Sequence, residues 1–120
     1  MAEIINKKYD LEERTLTFAK KIIELCRALP KNTVNFELIK QLVRAGSSIG
    51  ANYREANGAA SKKDFNNKIR ISLKEAKETH YWLQLVIEAN DEFQKKTEPL
   101  LGESLELIKI FSAISQKARS

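Results

Sequence analysis

The sequence predicts an all-α fold, an antiparallel up-down-up-down four-helix bundle, on three observations. Apolar residues recur at three- and four-residue intervals through four long segments, the repeat of an amphipathic helix. Only four Gly and two Pro interrupt 120 residues, and both prolines stand at segment edges, where a missing N–H does little harm. The connections are short, which makes consecutive helices double back on one another. With 42% apolar residues the chain can bury one core but not two, so residues 1–120 read as a single domain without internal repeat or low-complexity tract.

Residues 1–9 read as a loose tail. The first helix is expected from about Asp10 to Leu29, with Leu11, Phe18, Ile22, Leu25 and Leu29 on one face, widened by Ala19, Cys26 and Ile23. Glu13, Lys20, Lys21, Glu24 and Arg27 fill the opposite side, and Pro30 ends the helix. A second helix starts after Asn32 or Thr33 and runs to Asn57. Its core stripe is Leu38, Leu42, Ala45, Ile49 and Ala56, interrupted by Asn52. A second stripe of Ile39, Val43, Gly46 and Gly50 lies beside it. Each of those glycines costs about 1 kcal/mol relative to Ala unless another element approaches closely, so this stripe predicts a close neighbour. Gly58 suits a left-handed helix stop.

Ser61 and Asp64 have the spacing of a helix cap for the third helix, about Lys62 to Ala89. Phe65, Ile69, Ser72, Ala76, Thr79, Leu83 and Val86 form its seam at alternating four- and three-residue steps. Ile71, Trp82, Leu85 and Ala89 make a further apolar flank, which reads as a subunit interface because one four-helix core does not need it. After a turn bracketed by Asn90-Asp91 and Thr97-Glu98-Pro99, a fourth helix runs from about 97 to 117. It is expected to bury Leu100, Leu101, Leu105, Ile108, Phe111 and Ile114 and to turn Glu103, Glu106 and Lys109 outward.

Composition narrows the functional classes. The longest apolar runs are a few residues, against about 20 for a membrane span, and no apolar stretch follows Lys7-Lys8 as a signal peptide would require. A single Cys26 cannot form an internal disulfide and fits a reducing cytoplasm. Its place in the apolar arc reads as a core residue rather than a reactive thiol. Bundles that hold di-iron sites need Glu-x-x-His motifs on two helices. Here Glu78-Thr79-His80 has the wrong spacing and His80 is the one histidine. No metal, cofactor or catalytic residue is therefore expected, and His80 reads as a packed, hydrogen-bonded residue.

Two polar constellations remain. Arg44, with Glu37, Ser48 and Glu55 on the same face of the second helix, invites pairing across the hairpin. A turn centred near residues 59–60 places Arg44 opposite Glu75 or Glu78, an ion pair that sets register more than net stability. The other constellation is basic. Lys63, Arg70, Lys74 and Lys77, with Lys62 beside them, line the face opposite the third helix's seam. Over residues 62–77 six cations stand against Asp64 and Glu75. Such a stripe can neutralise successive phosphates with little sequence preference, although it also suits an ordinary solvated face. The net charge of +5 and pI near 9.4 permit an anionic partner without requiring one.

Arg44-Ala45, Ser48-Ile49, Asn52 and Glu55, then Ser61, Asp64-Phe65, Glu75-Ala76, Glu78-Thr79 and Trp82-Leu83, resemble the four-helix-bundle proteins of the 23S ribosomal RNA intervening-sequence family. The resemblance spans about Leu11 to Ser115, and Tyr53-Arg54 and Glu55-Ala56 depart from the family's Asn-Ile-x-Glu-Gly form. It implies a ring-shaped homopentamer and kinship with the accessory variability protein of diversity-generating retroelements, a basic pentamer that binds nucleic acid and a reverse transcriptase. It brings no catalytic residues. The family name records where some of its genes lie and is not evidence of ribosome binding. The expected function is a non-enzymatic oligomer that binds structured RNA or DNA through the third helix. Its rival is a protein-binding scaffold without a nucleic-acid role, and a reverse transcriptase or another protein is an expected partner class. In this reading Arg44, Asn52, Glu55, Glu75 and Glu78 set register, while Ile71, Trp82 and Leu85 join subunits.

Overall fold

A computed structural model describes residues 10–119, and the tail expected at residues 1–9 lies outside them. Four long helices account for nearly all of that span: α1 (Leu11–Ala28), α2 (Thr33–Asn57), α3 (Lys62–Ala89) and α4 (Gln94–Arg119). A single 3-10 turn, Asp91–Phe93, joins α3 to α4, and no strand occurs among the described residues. The molecule measures 44 × 23 × 20 Å. At 1.5 Å per residue, α3 alone is roughly 42 Å long, so the helices run along the long axis.

Local chemistry sets the boundaries. Asn32 accepts the Asn35 backbone N–H at 2.8 Å and Ser61 accepts that of Asp64 at 3.1 Å, each satisfying an N–H that the first turn leaves without a carbonyl. Gly58 departs from the expected left-handed stop. Its φ is −95°, and its N–H is shared between the Arg54 and Glu55 carbonyls at 3.3 and 3.2 Å. The last turn of α2 tightens instead of reversing, so no left-handed residue is needed there.

α1 packs on α2 and α4, and α3 packs on the same two helices, whereas α1 and α3 are not neighbours, nor are α2 and α4. The helices therefore occupy four corners around a core of Phe18, Ile22, Leu42, Ile49, Ile69, Leu83, Leu107 and Phe111. Tyr53 fills the step that Asn52 leaves open in α2, with its ring 5.7 Å from Phe111 in an edge-on contact. Gly46 and Gly50 do face a close neighbour, and it is α1. A Cβ on Gly50 would lie 2.7 Å from Thr15 Oγ1, and one on Gly46 would lie 3.2 Å from Ile22 Cγ1.

α4 differs most from expectation. It begins at Gln94, so Pro99 lies inside the helix, where one backbone hydrogen bond is missing at an exposed position. Its buried line is Thr97, Leu100, Ser104, Leu107, Phe111 and Ser115, while Leu105 is 44% exposed and Leu101, Ile108 and Ile114 are half-buried. Glu103 does not face outward freely: it grips Arg14 of α1 with two hydrogen bonds of 2.6 and 2.8 Å. The physical reason for the misplaced stripe is that small hydroxyl residues occupy core positions. Thr97 and Ser104 donate to the carbonyls of Phe93 and Leu101 and so enter the interior without an unmet hydrogen bond. Thr15 and Thr79 do the same in α1 and α3. In α1, Ile23 is 43% exposed rather than part of the core.

Candidate nucleic-acid interface

The platform for α3 is its contact with α2. Ser72 donates to the Ile49 carbonyl at 2.9 Å, Lys68 meets Glu55 at 2.6 Å, and Arg44 bridges Glu75 at 3.2 Å and Glu78 at 2.7 Å. Numbers fall along α2 as they rise along α3, the register expected from the short turn. The Glu75 side chain is 9% exposed and Glu78 34%, while Arg44 remains 49% exposed, so the pair lies at the edge of the core. The hydrogen bond to Glu78, with the negative charge of both acids, pushes the Arg44 guanidinium above its ordinary range. The grouping of five register residues resolves into separate parts. Glu55 pairs with Lys68, and Asn52 bonds back to the Ser48 carbonyl of its own helix at 2.9 Å.

This docking fixes which side of α3 faces solvent. Lys62, Lys63, Arg70, Lys74 and Lys77 are all exposed. Among the described residues no carboxylate lies within ion-pair reach of Lys62, Lys63, Arg70 or Lys77. Lys74 touches Glu78 at 4.0 Å, the limit of such a contact. From Lys63 to Lys77 the stripe extends roughly 21 Å at the helical rise, enough for several phosphates of one strand. Arg70, Lys74 and Lys77 also rim a shallow recess whose floor includes Leu73 and Ser115, so three cations converge on one depression.

The flank assigned to subunit contact behaves otherwise. Trp82 and Leu85 pack against the chain's own core, and Ile71 alone of the three stays 37% exposed. The Trp82 ring also meets Tyr81 edge-on at 5.2 Å. The premise that this flank is surplus to one bundle fails for two of its three residues.

Cys26 is 5% exposed, and burial pushes its thiol up to about 11, with Lys31 pulling weakly the other way. It is a protonated core residue at neutral pH. His80 Nδ1 lies 3.1 Å from Ser104 Oγ. Ser104 gives its one hydrogen to Leu101, which leaves His80 Nδ1 as the donor. Among the described residues no group of three His, Cys, Asp or Glu side chains is placed to hold a metal, and no helix is long and apolar enough to cross a membrane.

Sequence reasoning missed one pair altogether. Asn35 and Asn90 lie 1% and 3% exposed and exchange amide hydrogen bonds of 2.8 and 2.9 Å. Their remaining N–H groups reach Pro30 O and Val86 O. The pair ties the α1–α2 turn to the α3–α4 turn at one end of the molecule.

Fold and surface together define a class: an all-α protein of four helices with a cationic face on the third. The chain belongs to the 23S rRNA-intervening sequence protein family, whose family model matches residues 7–113. It is similar to a protein with unknown function from the S23 ribosomal protein family of Bacteroides thetaiotaomicron VPI-5482, solved by crystallography at 1.70 Å resolution. The two share 40% identity with a TM-score of 0.80, over 88% of this chain and 97% of the other. Comparison with curated proteins found no match.

Proposed function

We propose that this protein is a non-enzymatic, cytoplasmic nucleic-acid-binding accessory protein, working as a ring of up-down-up-down bundles that binds structured RNA or DNA through α3. The observation that carries the reading is the exposed stripe of Lys63, Arg70, Lys74 and Lys77, whose cations lack acidic partners apart from the Lys74–Glu78 contact at 4.0 Å. Membership of a family named for a 23S rRNA intervening sequence supports an RNA rather than a lipid as the anion. Phosphates supply the affinity, with little base readout. Repetition around a ring of the kind the family resemblance implies, a pentamer, multiplies a weak face into a strong one. A reverse transcriptase or another protein would join as partner, as in the accessory variability protein.

The test is Lys63→Glu combined with Lys74→Glu. Both side chains are exposed, so the fold survives, and binding to a structured RNA should fall by at least a hundredfold. A variant that binds as well as the parent means that α3 is the wrong face. A parent that binds no nucleic acid leaves the protein-scaffold reading.

A further inference from the structure

Two apolar surfaces remain outside the bundle. One is a groove between α1 and α2, lined by Ile23, Phe36, Ile39 and Val43. Phe36 is 59% and Ile23 43% exposed. The other is a ridge where α3 meets α4. His80 touches Ser104, so the next residue on each helix, Tyr81 and Leu105, turns to the same outer side, and they are 55% and 44% exposed. Because α1 touches α2 and α4 while α3 touches the same two, groove and ridge lie on opposite faces. A concave apolar face opposite a convex one is the geometry of head-to-tail association, in which each copy uses two different surfaces.

Charge selects the orientation. Arg27 and Lys31 rim the groove near the α1–α2 turn. Glu88 and Glu98, both exposed, flank the α3–α4 turn near the ridge. The Asn35–Asn90 hydrogen bonds hold those turns at the same end. Copies standing side by side with parallel axes therefore bring Arg27 and Lys31 against Glu88 and Glu98. An inverted copy would bring them against Arg70 and Lys77, which lie with Ser115 toward the other end of the same α3–α4 side.

We propose that the Ile23–Phe36 groove receives the Tyr81–Leu105 ridge of a second copy of this chain, head to tail with axes parallel. This rests on the oligomer in the reading above and moves its contact away from Ile71, Trp82 and Leu85. A contact of this kind does not saturate at a dimer; it repeats until a ring closes.

The experiment uses light scattering on the full chain, with Phe36→Asp as a groove variant and Tyr81→Asp plus Leu105→Asp as a ridge variant. Wild type should give a multiple of the 13.7 kDa protomer mass and each variant 13.7 kDa. An equimolar mixture, taken up to about 1 mM, should return to twice 13.7 kDa and no further, since each mixed pair holds one intact groove and one intact ridge. Variants that keep the wild-type mass, or a mixture that stays monomeric, overturn the assigned surfaces while the oligomer stands. A monomeric wild type overturns the oligomer itself. If an apolar-to-Asp variant loses its helical circular dichroism, exposed charges decide instead. Lys31→Glu should weaken assembly and Glu98→Lys added to it should restore it; a double variant no better than the single refutes the contact.

Discussion

The buried asparagine pair gives the sharpest stability test. Asn35 and Asn90 use all four amide hydrogens, two on each other and one each on Pro30 O and Val86 O, at 2.8 to 3.0 Å. Asn35→Ala leaves the Asn90 side-chain oxygen and one N–H without partners in a site where Asn90 is 3% exposed. Each orphaned group costs about 1–3 kcal/mol, so the substitution should destabilise by about 3 kcal/mol, a large part of the 5–15 typical of a domain. Asn90→Ala should cost a similar amount. The double variant removes both sets of orphans together, so its cost should fall short of the summed singles by about 1–2 kcal/mol. Asn35→Asp should be worse than Asn35→Ala at neutral pH, because it points carboxylate oxygens at Pro30 O and Asn90 Oδ1. Urea denaturation followed by circular dichroism measures all four. Singles costing under about 0.5 kcal/mol, or a strictly additive double, would refute the claim that the pair is closed to water.

Two further outcomes follow from the packing. Gly50→Ala should destabilise by about 1–2 kcal/mol, because Thr15 is buried and bonded to Leu11 O and cannot yield, and that overpacking outweighs the gain in helix propensity. Gly102→Ala, with nothing within 4 Å of the new methyl group, should instead stabilise by about 0.5–1 kcal/mol; thermal melts of the two variants should move in opposite directions. The Cys26 thiol, ordinarily near 9.0, is held up to about 11, so the unfolded chain ionises first as pH rises. Stability from this group is intact below its unfolded value and is lost as pH climbs through 9 toward 11. Relative to Cys26→Ala, wild type should lose up to about 2.7 kcal/mol over that window, measured by denaturation at each pH; an unchanged gap would contradict its burial.

Most of the architecture was legible because it rests on local chemistry. Pro30, the Asn32 and Ser61 caps and the seam of α3 are contiguous signals, and a short turn converts sequence spacing into the Arg44–Glu75 register. α4 was read out of phase because Thr97, Ser104 and Ser115 occupy core positions that hydropathy scores as surface. Arg14–Glu103 and Asn35–Asn90 join residues 89 and 55 apart, and no local pattern points to such a partner. The cationic face of α3 was legible as a stripe. That its charges lack close acids, apart from the Lys74–Glu78 contact, is a property of the packed bundle.

The salt dependence of wild-type binding to a structured RNA tests the central claim most directly. With four or five phosphate contacts from Lys62, Lys63, Arg70, Lys74 and Lys77 of one copy, affinity should fall about 100- to 500-fold between roughly 50 and 200 mM salt. An affinity that stays level across that range would contradict a phosphate-binding face on α3.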